Sequence, residues 1–177
     1  MKRFLKIAGL VVVILLGSVL VLAAMKPDTL HVQRTTSVNA PPEKIVPLIN
    51  DFHKWGAWSP YEHKDPAMKR TFSGAASGKG AIYEWSGNSE VGSGRMEILE
   101  SSPANVTIKL DFITPFEGHD VATFALEPNG GVTAVTWAMD GPNPYLGKII
   151  QVFLNMDTMV GGDFQTGLTN LKTVAEK

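Results

Sequence analysis

Val132-Thr133-Ala134-Val135-Thr136-Trp137-Ala138-Met139 alternates in steps of two, Gly141-Pro142-Asn143-Pro144 interrupts it, and from there Ile149, Phe153, Met156, Val160, Phe164, Leu168, Leu171 and Val174 recur at helical spacing. Alternation puts every second side chain on one face of a strand, and a spacing of three to four puts them on one face of a helix. The chain thus makes a strand, turns at two prolines and ends in a long helix whose apolar side needs a sheet to lie on. Ile150, Val152, Leu154 and Met159 make the first half of that helix apolar nearly all round, so it should be buried on more than one side or lie against lipid. Gly161-Gly162 costs about 1 kcal/mol per glycine and marks a kink or a close crossing over the sheet.

The same alternation runs backward through the chain. Residues 119–127, 106–112, 93–100, 81–86 and 69–73 read as strands, separated by turn-forming sequences such as Pro128-Asn129-Gly130-Gly131, Ser102-Pro103 and Ser86-Gly87-Asn88. Leu30, Val32, Arg34, Thr36 and Val38 keep the period at the start. Between this strand and the next, Ala40-Pro41-Pro42 opens a helix over residues 43–50, followed at once by a short amphipathic turn over residues 51–58. One strand, two short helices, six strands and a long helix is the order of an α+β helix-grip fold. About seven antiparallel strands curve around the C-terminal helix and leave a cavity between them.

Ahead of this domain lies a run without charge that starts at Ile7 and ends at Ala24. Eighteen residues at 1.5 Å each make about 27 Å, close to the roughly 30 Å of a bilayer core. The run reads as a retained transmembrane anchor, with a cleaved signal peptide ending near Val21-Leu22-Ala23 as the alternative. The chain divides accordingly into residues 1–25, the anchor, and residues 26–177, the ligand-binding domain. Lys2, Arg3 and Lys6 precede the run, which keeps the N-terminus cytoplasmic and sends the rest across, against a weaker opposing Lys26. The expected location is a bacterial inner membrane, single-pass, with the domain on the periplasmic or extracellular side.

With those three cations set aside, acidic side chains outnumber basic ones, so no nucleic-acid partner is expected. There is no cysteine, which removes disulfides, thiolate metal sites, cysteine nucleophiles and a lipoprotein anchor together. No Gly-x-Ser-x-Gly elbow, His-Glu-x-x-His pair or dinucleotide fingerprint is present, and Gly74 to Gly80 lacks the spacing of a phosphate loop. His31, His53, His63 and His119 have no metal-ligand spacing. Neither a metal nor a cofactor is expected, and no catalytic residue is assigned.

Val38-Asn-Ala-Pro-Pro-Glu-Lys-Ile-Val-Pro-Leu-Ile-Asn-Asp-Phe-His-Lys-Trp55, the following Trp58-Ser-Pro60 and Asn155-Met-Asp-Thr-Met-Val-Gly-Gly-Asp-Phe164 resemble the START-like, SRPBCC superfamily, and within it bacterial polyketide cyclase/dehydrase-like proteins. The resemblance covers residues 29–176 and leaves the apolar run outside. It implies a pocket for a lipid, sterol, polyketide or similar hydrophobic molecule, and it implies less about chemistry, because members include binders, carriers, cyclases and hydrolases.

Strand parity nominates the lining. Tyr83 and Trp85, Met96 and Ile98, Leu110 and Phe112, Phe124, and Trp137 and Met139 should point inward, opposed by Phe153, Met156 and Val160 of the helix, with Trp55 and Trp58 capping the cavity beside His53. The same side chains would equally fill a solid core. Arg95, Glu97, Lys109 and Asp111 take the opposite parity and belong to the solvated face. His119, beginning a strand near the pocket mouth, and Asp157, beside the helix glycines, are the nearest candidates for acid or base. Three functions remain open. They are a membrane-anchored binding or carrier domain for a hydrophobic small molecule, an enzyme of the cyclase/dehydrase or hydrolase type, and an envelope interaction module with a vestigial pocket. A fragment starting at Lys26 is expected to express as a soluble, folded domain by circular dichroism; an insoluble product would mean that the apolar helix also packs on the domain.

Overall fold

The computed structural model describes residues 2–177. A first helix, α1 (Lys2–Ala24), leads into β1 (Thr29–Val38), and α2 (Pro42–Ile49), a 3-10 turn (Phe52–Ala57) and α3 (Tyr61–Lys64) follow. Six strands come next: β2 (Lys69–Gly74), β3 (Ala81–Ser86), β4 (Ser93–Ser101), β5 (Asn105–Thr114), β6 (Gly118–Asn129) and β7 (Val132–Pro142). The chain ends in α4 (Tyr145–Phe153) and α5 (Met156–Ala175). All strand pairs are antiparallel in the order β1-β7-β6-β5-β4-β3-β2, so the first strand joins the last. The α2–α3 segment carries the chain from one edge of the sheet to the other. The fold is the α+β helix-grip architecture expected, a curved seven-stranded sheet with a C-terminal helix against it.

The expected single C-terminal helix is in fact two. Leu154 is extended, and Asn155 starts α5 by accepting a hydrogen bond from the Thr158 amide at 3.0 Å. An asparagine cap satisfies donors that a new helix would otherwise leave bare, and it ends the continuity that the apolar spacing suggested. The break therefore falls at Leu154-Asn155 and not at the paired glycines. Gly161 instead marks the close crossing: a Cβ there would stand 2.1 Å from Nη2 of Arg34, so the glycine leaves room for the guanidinium under α5. Arg34 then holds both Asp157 carboxylate oxygens, at 2.9 and 3.0 Å, and the Asp157 carbonyl.

The core has an aromatic end. The indole N–H groups of Trp55 and Trp58 donate to the carbonyls of Ile49 and Leu48, each at 2.8 Å, satisfying the C-terminal carbonyls of α2 and folding both rings back over the sheet. There they meet Phe124 and Trp137, whose rings stack 4.9 Å apart. Phe164 of α5 lies flat on Trp137 at 4.1 Å. Trp55, Trp58, Phe124, Trp137 and Phe164 are all buried, so the space between sheet and helix is filled at this end.

The remaining helix, α1, has the length and composition to cross a membrane, and nearly all of its apolar side chains face outward. Its one hydroxyl, Ser18, donates to the Ile14 carbonyl of its own helix at 2.8 Å. Its last turn touches the domain, for Ala23 is fully buried and the Tyr145 hydroxyl donates to the Leu20 carbonyl at 2.8 Å. Trp137→Ala is expected to lower unfolding stability by about 3 to 5 kcal/mol, read from chemical denaturation, because a cavity would open between the two rings stacked on it, Phe124 and Phe164.

Candidate ligand-binding site

The inner face of the sheet can be read off in register. One row across it runs Leu30, Gly141, Asp120, Leu110, Met96, Tyr83 and Phe72. The row on one side, Val32, Met139, Ala122, Ile108 and Ile98, is wholly apolar and leads to the aromatic end. On the other side the sheet runs out through Phe112, Gly94, Trp85 and Arg70, where the indole of Trp85 lies over Gly94 and meets Phe112 edge-on at 6.0 Å. Trp85 and Phe112 are only half-buried, so this is the looser end of the inner face.

Asp120 is the exception in its row. It shares the inward parity of Ala122, Phe124 and Leu126, yet it is a carboxylic acid among apolar neighbours. Gly141 beside it makes this possible. A Cβ on Gly141 would lie 1.5 Å from Oδ1 of Asp120, so the carboxyl leans into space that any other residue on β7 would occupy. Burial pushes its pKa up to about 6, and the opposing influence is the charge of His119, which lies on the other face of the strand. The carboxyl changes charge near neutral pH at the centre of a greasy surface.

The other polar groups reaching the inner face are tied to one another. Glu62 of α3 accepts from the Tyr83 hydroxyl and from Nε of Arg70, both at 2.6 Å, and Lys64 reaches Asp163 of α5 at 2.6 Å. These bonds make α3 a strap from the β2–β3 edge of the sheet to α5. Burial, and then Glu62, raises the Tyr83 phenol pKa, so its proton stays in place as a donor.

The residues expected from sequence distribute unevenly over this surface. Tyr83, Met96, Ile98, Leu110, Phe124, Trp137 and Met139 are buried on the inner face, and Trp85, Phe112 and Val160 border it half-buried. Trp55 and Trp58 close the aromatic end. Phe153 departs from expectation: it belongs to α4, is 71% exposed, and cannot oppose the sheet because the break at Leu154 turns α4 away. With Met156 it borders instead a depression of about 370 Å³ between the α4–α5 elbow and β1, whose wall includes Leu30, Lys26 and His31. His119 is exposed on the outer face, where it meets Asp111 at 2.8 Å, which raises its pKa; Asp157 is held by Arg34, which lowers its own. Neither candidate reaches the inner face, and the two are not brought together. Among the described residues no cluster of metal-ligating side chains occurs. The inward place of Asp120 is readable in the sequence, since extending the apolar parity of β6 by one step back from Ala122 lands on it.

Comparison with known proteins agrees with this fold. No curated protein matches the chain in sequence. Among solved structures, protein CV1439 from Chromobacterium violaceum superposes with a TM-score of 0.58 at 16% identity, covering 86% of this chain and 99% of that one. A Thermobifida fusca protein gives 0.59 at 18% identity over 82% and 92%. The di-domain ARO/CYC StfQ of the steffimycin biosynthetic pathway gives 0.62 at 8% identity, over 84% of this chain and 51% of that one. These likenesses concern the fold. In sequence, the family described as polyketide cyclase / dehydrase and lipid transport matches residues 29–176, which is the whole sheet with its helices and leaves α1 outside; the chain belongs to that family.

Proposed function

We propose that this chain is a membrane-tethered binding or carrier domain for a hydrophobic small molecule, lipid or polyketide-like, held on the inner face of the sheet with its polar group at Asp120. The observation that carries this reading is the carboxyl of Asp120, set in an apolar row beside the gap at Gly141. An apolar surface with one placed polar group is how a protein fixes the orientation of a largely hydrocarbon ligand. A carboxyl there accepts a hydrogen bond when ionised and donates one when protonated, so it suits a hydroxyl or carbonyl on the ligand. The Asp120 carboxyl fills the space over Gly141, and Leu30, paired with Gly141 across the β1–β7 edge, borders the depression at the elbow, which is the open surface nearest to that carboxyl along the row. The tether is α1, with the domain on the periplasmic or extracellular side as the basic N-terminus directs.

An enzyme of the cyclase type would use the same carboxyl as acid or base. It would also need a second free group, whereas Glu62, Arg70 and Tyr83 are bonded to each other. Binding is therefore the reading preferred over catalysis.

The ionisation of Asp120 sets a pH signature. Its folded pKa of about 6 lies above the ordinary 3.8, so the folded chain holds that proton more tightly than the unfolded one. Ionisation then opposes folding above pH 6, and the opposition is relieved as the pH falls from 6 toward 4. Asp120→Asn should raise stability at pH 8 by about 1 kcal/mol, a figure reduced for the carboxyl's partial contact with solvent, and should lose that advantage below pH 4. Thermal melts across that range check it. For the ligand, native mass spectrometry of the full chain released from detergent, with organic extraction, is expected to show a stoichiometric hydrophobic molecule. Gly141→Ala, which drives the Asp120 carboxyl out of its gap, should lose that molecule while keeping the wild-type circular dichroism. A clean apo mass with no thermal shift across a lipid panel would overturn the reading.

A further inference from the structure

Helix α4 is built inside out for a surface helix in water. Lys148, its one cation, is buried and pairs with Asp28, and Gln151 donates to Asn143 at 2.9 Å on the same inward side. On the opposite side Leu146, Ile150 and Phe153 form one stripe at helical spacing, continued past the helix end by Leu154. Leu146 is 57% exposed and Phe153 71% exposed, with Leu154 and Met159 of the elbow also bare. A helix packed against a domain in water buries its apolar stripe and shows its charges; α4 does the reverse. It has an inward partner in its polar side, so the apolar stripe was not simply left over.

The position of α4 says what covers that stripe. It packs against the end of α1, and the Tyr145 hydroxyl reaches the Leu20 carbonyl. Leu20 lies about 6 Å before the end of α1 along the helix axis at 1.5 Å per residue. With α1 crossing a bilayer, Tyr145 stands at the level of the headgroups, where tyrosine gathers because it offers a ring to hydrocarbon and a hydroxyl to the polar layer. Asn143 donates through its side chain to the Pro27 carbonyl at 2.9 Å and through its amide to the Asp28 carbonyl at 2.8 Å, so the short link after α1 holds α4 at that depth.

We infer that α4 is an interfacial helix that lies in the outer boundary of the same bilayer leaflet that α1 leaves, with Leu146, Ile150, Phe153 and Leu154 in the acyl region. The inference rests on α1 being a retained anchor. It places the depression between the elbow and β1 at the lipid surface, so that a bilayer lipid is the class of molecule presented to it.

The chain has no cysteine, so single-cysteine variants can be spin-labelled without background. Leu146→Cys and Phe153→Cys test the stripe, Leu16→Cys reports on α1, and Glu43→Cys marks a site on α2. Each full-length chain is reconstituted in phosphatidylethanolamine–phosphatidylglycerol vesicles, and relaxation by oxygen is compared with relaxation by a water-soluble nickel chelate. Labels at 146 and 153 should be reached by the chelate several-fold less than the label at 43, and by oxygen several-fold more, a few ångströms inside the boundary. A label at 16 deep in hydrocarbon together with 146 and 153 in water would overturn the interfacial helix and leave the anchor standing. A label at 16 in water, or a mature chain lacking it by mass, would overturn both. Spin–spin broadening between labels of two molecules at 153 would assign the stripe to a second copy and likewise overturn the inference. Both test sites are exposed, and matching circular dichroism of each variant establishes that it is folded.

Discussion

The flat contact of Phe164 on Trp137, at 4.1 Å, sets the distance at which α5 stands from the sheet, and most of the domain follows from it. With the helix that close over β7, Trp55 and Trp58 can wedge in from the α2 side and fill one end of the grip. The same approach brings α5 down on β1, where Gly161 makes room for the Arg34 guanidinium and Arg34 fixes Asp157. The helix grips one side of the sheet tightly, so what looseness the inner face has is confined to the far end, around Trp85, Phe112 and Asp120.

That division gives the domain two kinds of interior. The aromatic end is a close-packed solid in which changes of volume are felt directly. The other end is a shallow surface with half-buried rings, a polar strap of α3 across one side and a carboxyl at its centre. Glu62, Tyr83 and Arg70 satisfy one another, which removes the cost of leaving polar groups bare under the strap. Asp120 has no such partner set, and the elevated pKa is the physical expression of that isolation.

The sheet and its parity were legible in the sequence because alternation is local, and each strand from Lys69 onward starts within a residue of where its pattern starts. The N-terminal apolar run was equally plain. The break at Leu154-Asn155 was not, because Ile149, Phe153, Met156 and Val160 keep an unbroken helical spacing across it, and only the cap of Asn155 on Thr158 reveals that the axis turns. Phe153 was misplaced for that reason. The inverted polarity of α4 was hidden for another: Lys148 finds Asp28 across more than a hundred residues of chain, a pairing that no local pattern encodes. At the start of β6 an imidazole is the more conspicuous acid or base, whereas the strand points His119 out and the neighbouring Asp120 carboxyl in.

The link from α1 to β1 is a handful of residues, and Asn143 binds it at both Pro27 and Asp28. Under the proposed reading, a carrier hung on so short and stiff a leash would have almost no range. It would not swing a cargo across an aqueous gap to a second membrane, and would take up and give away its ligand at one leaflet. Traffic beyond that surface would then require a partner that comes to it, which would make hand-over, not transit, the step at which such a protein acts.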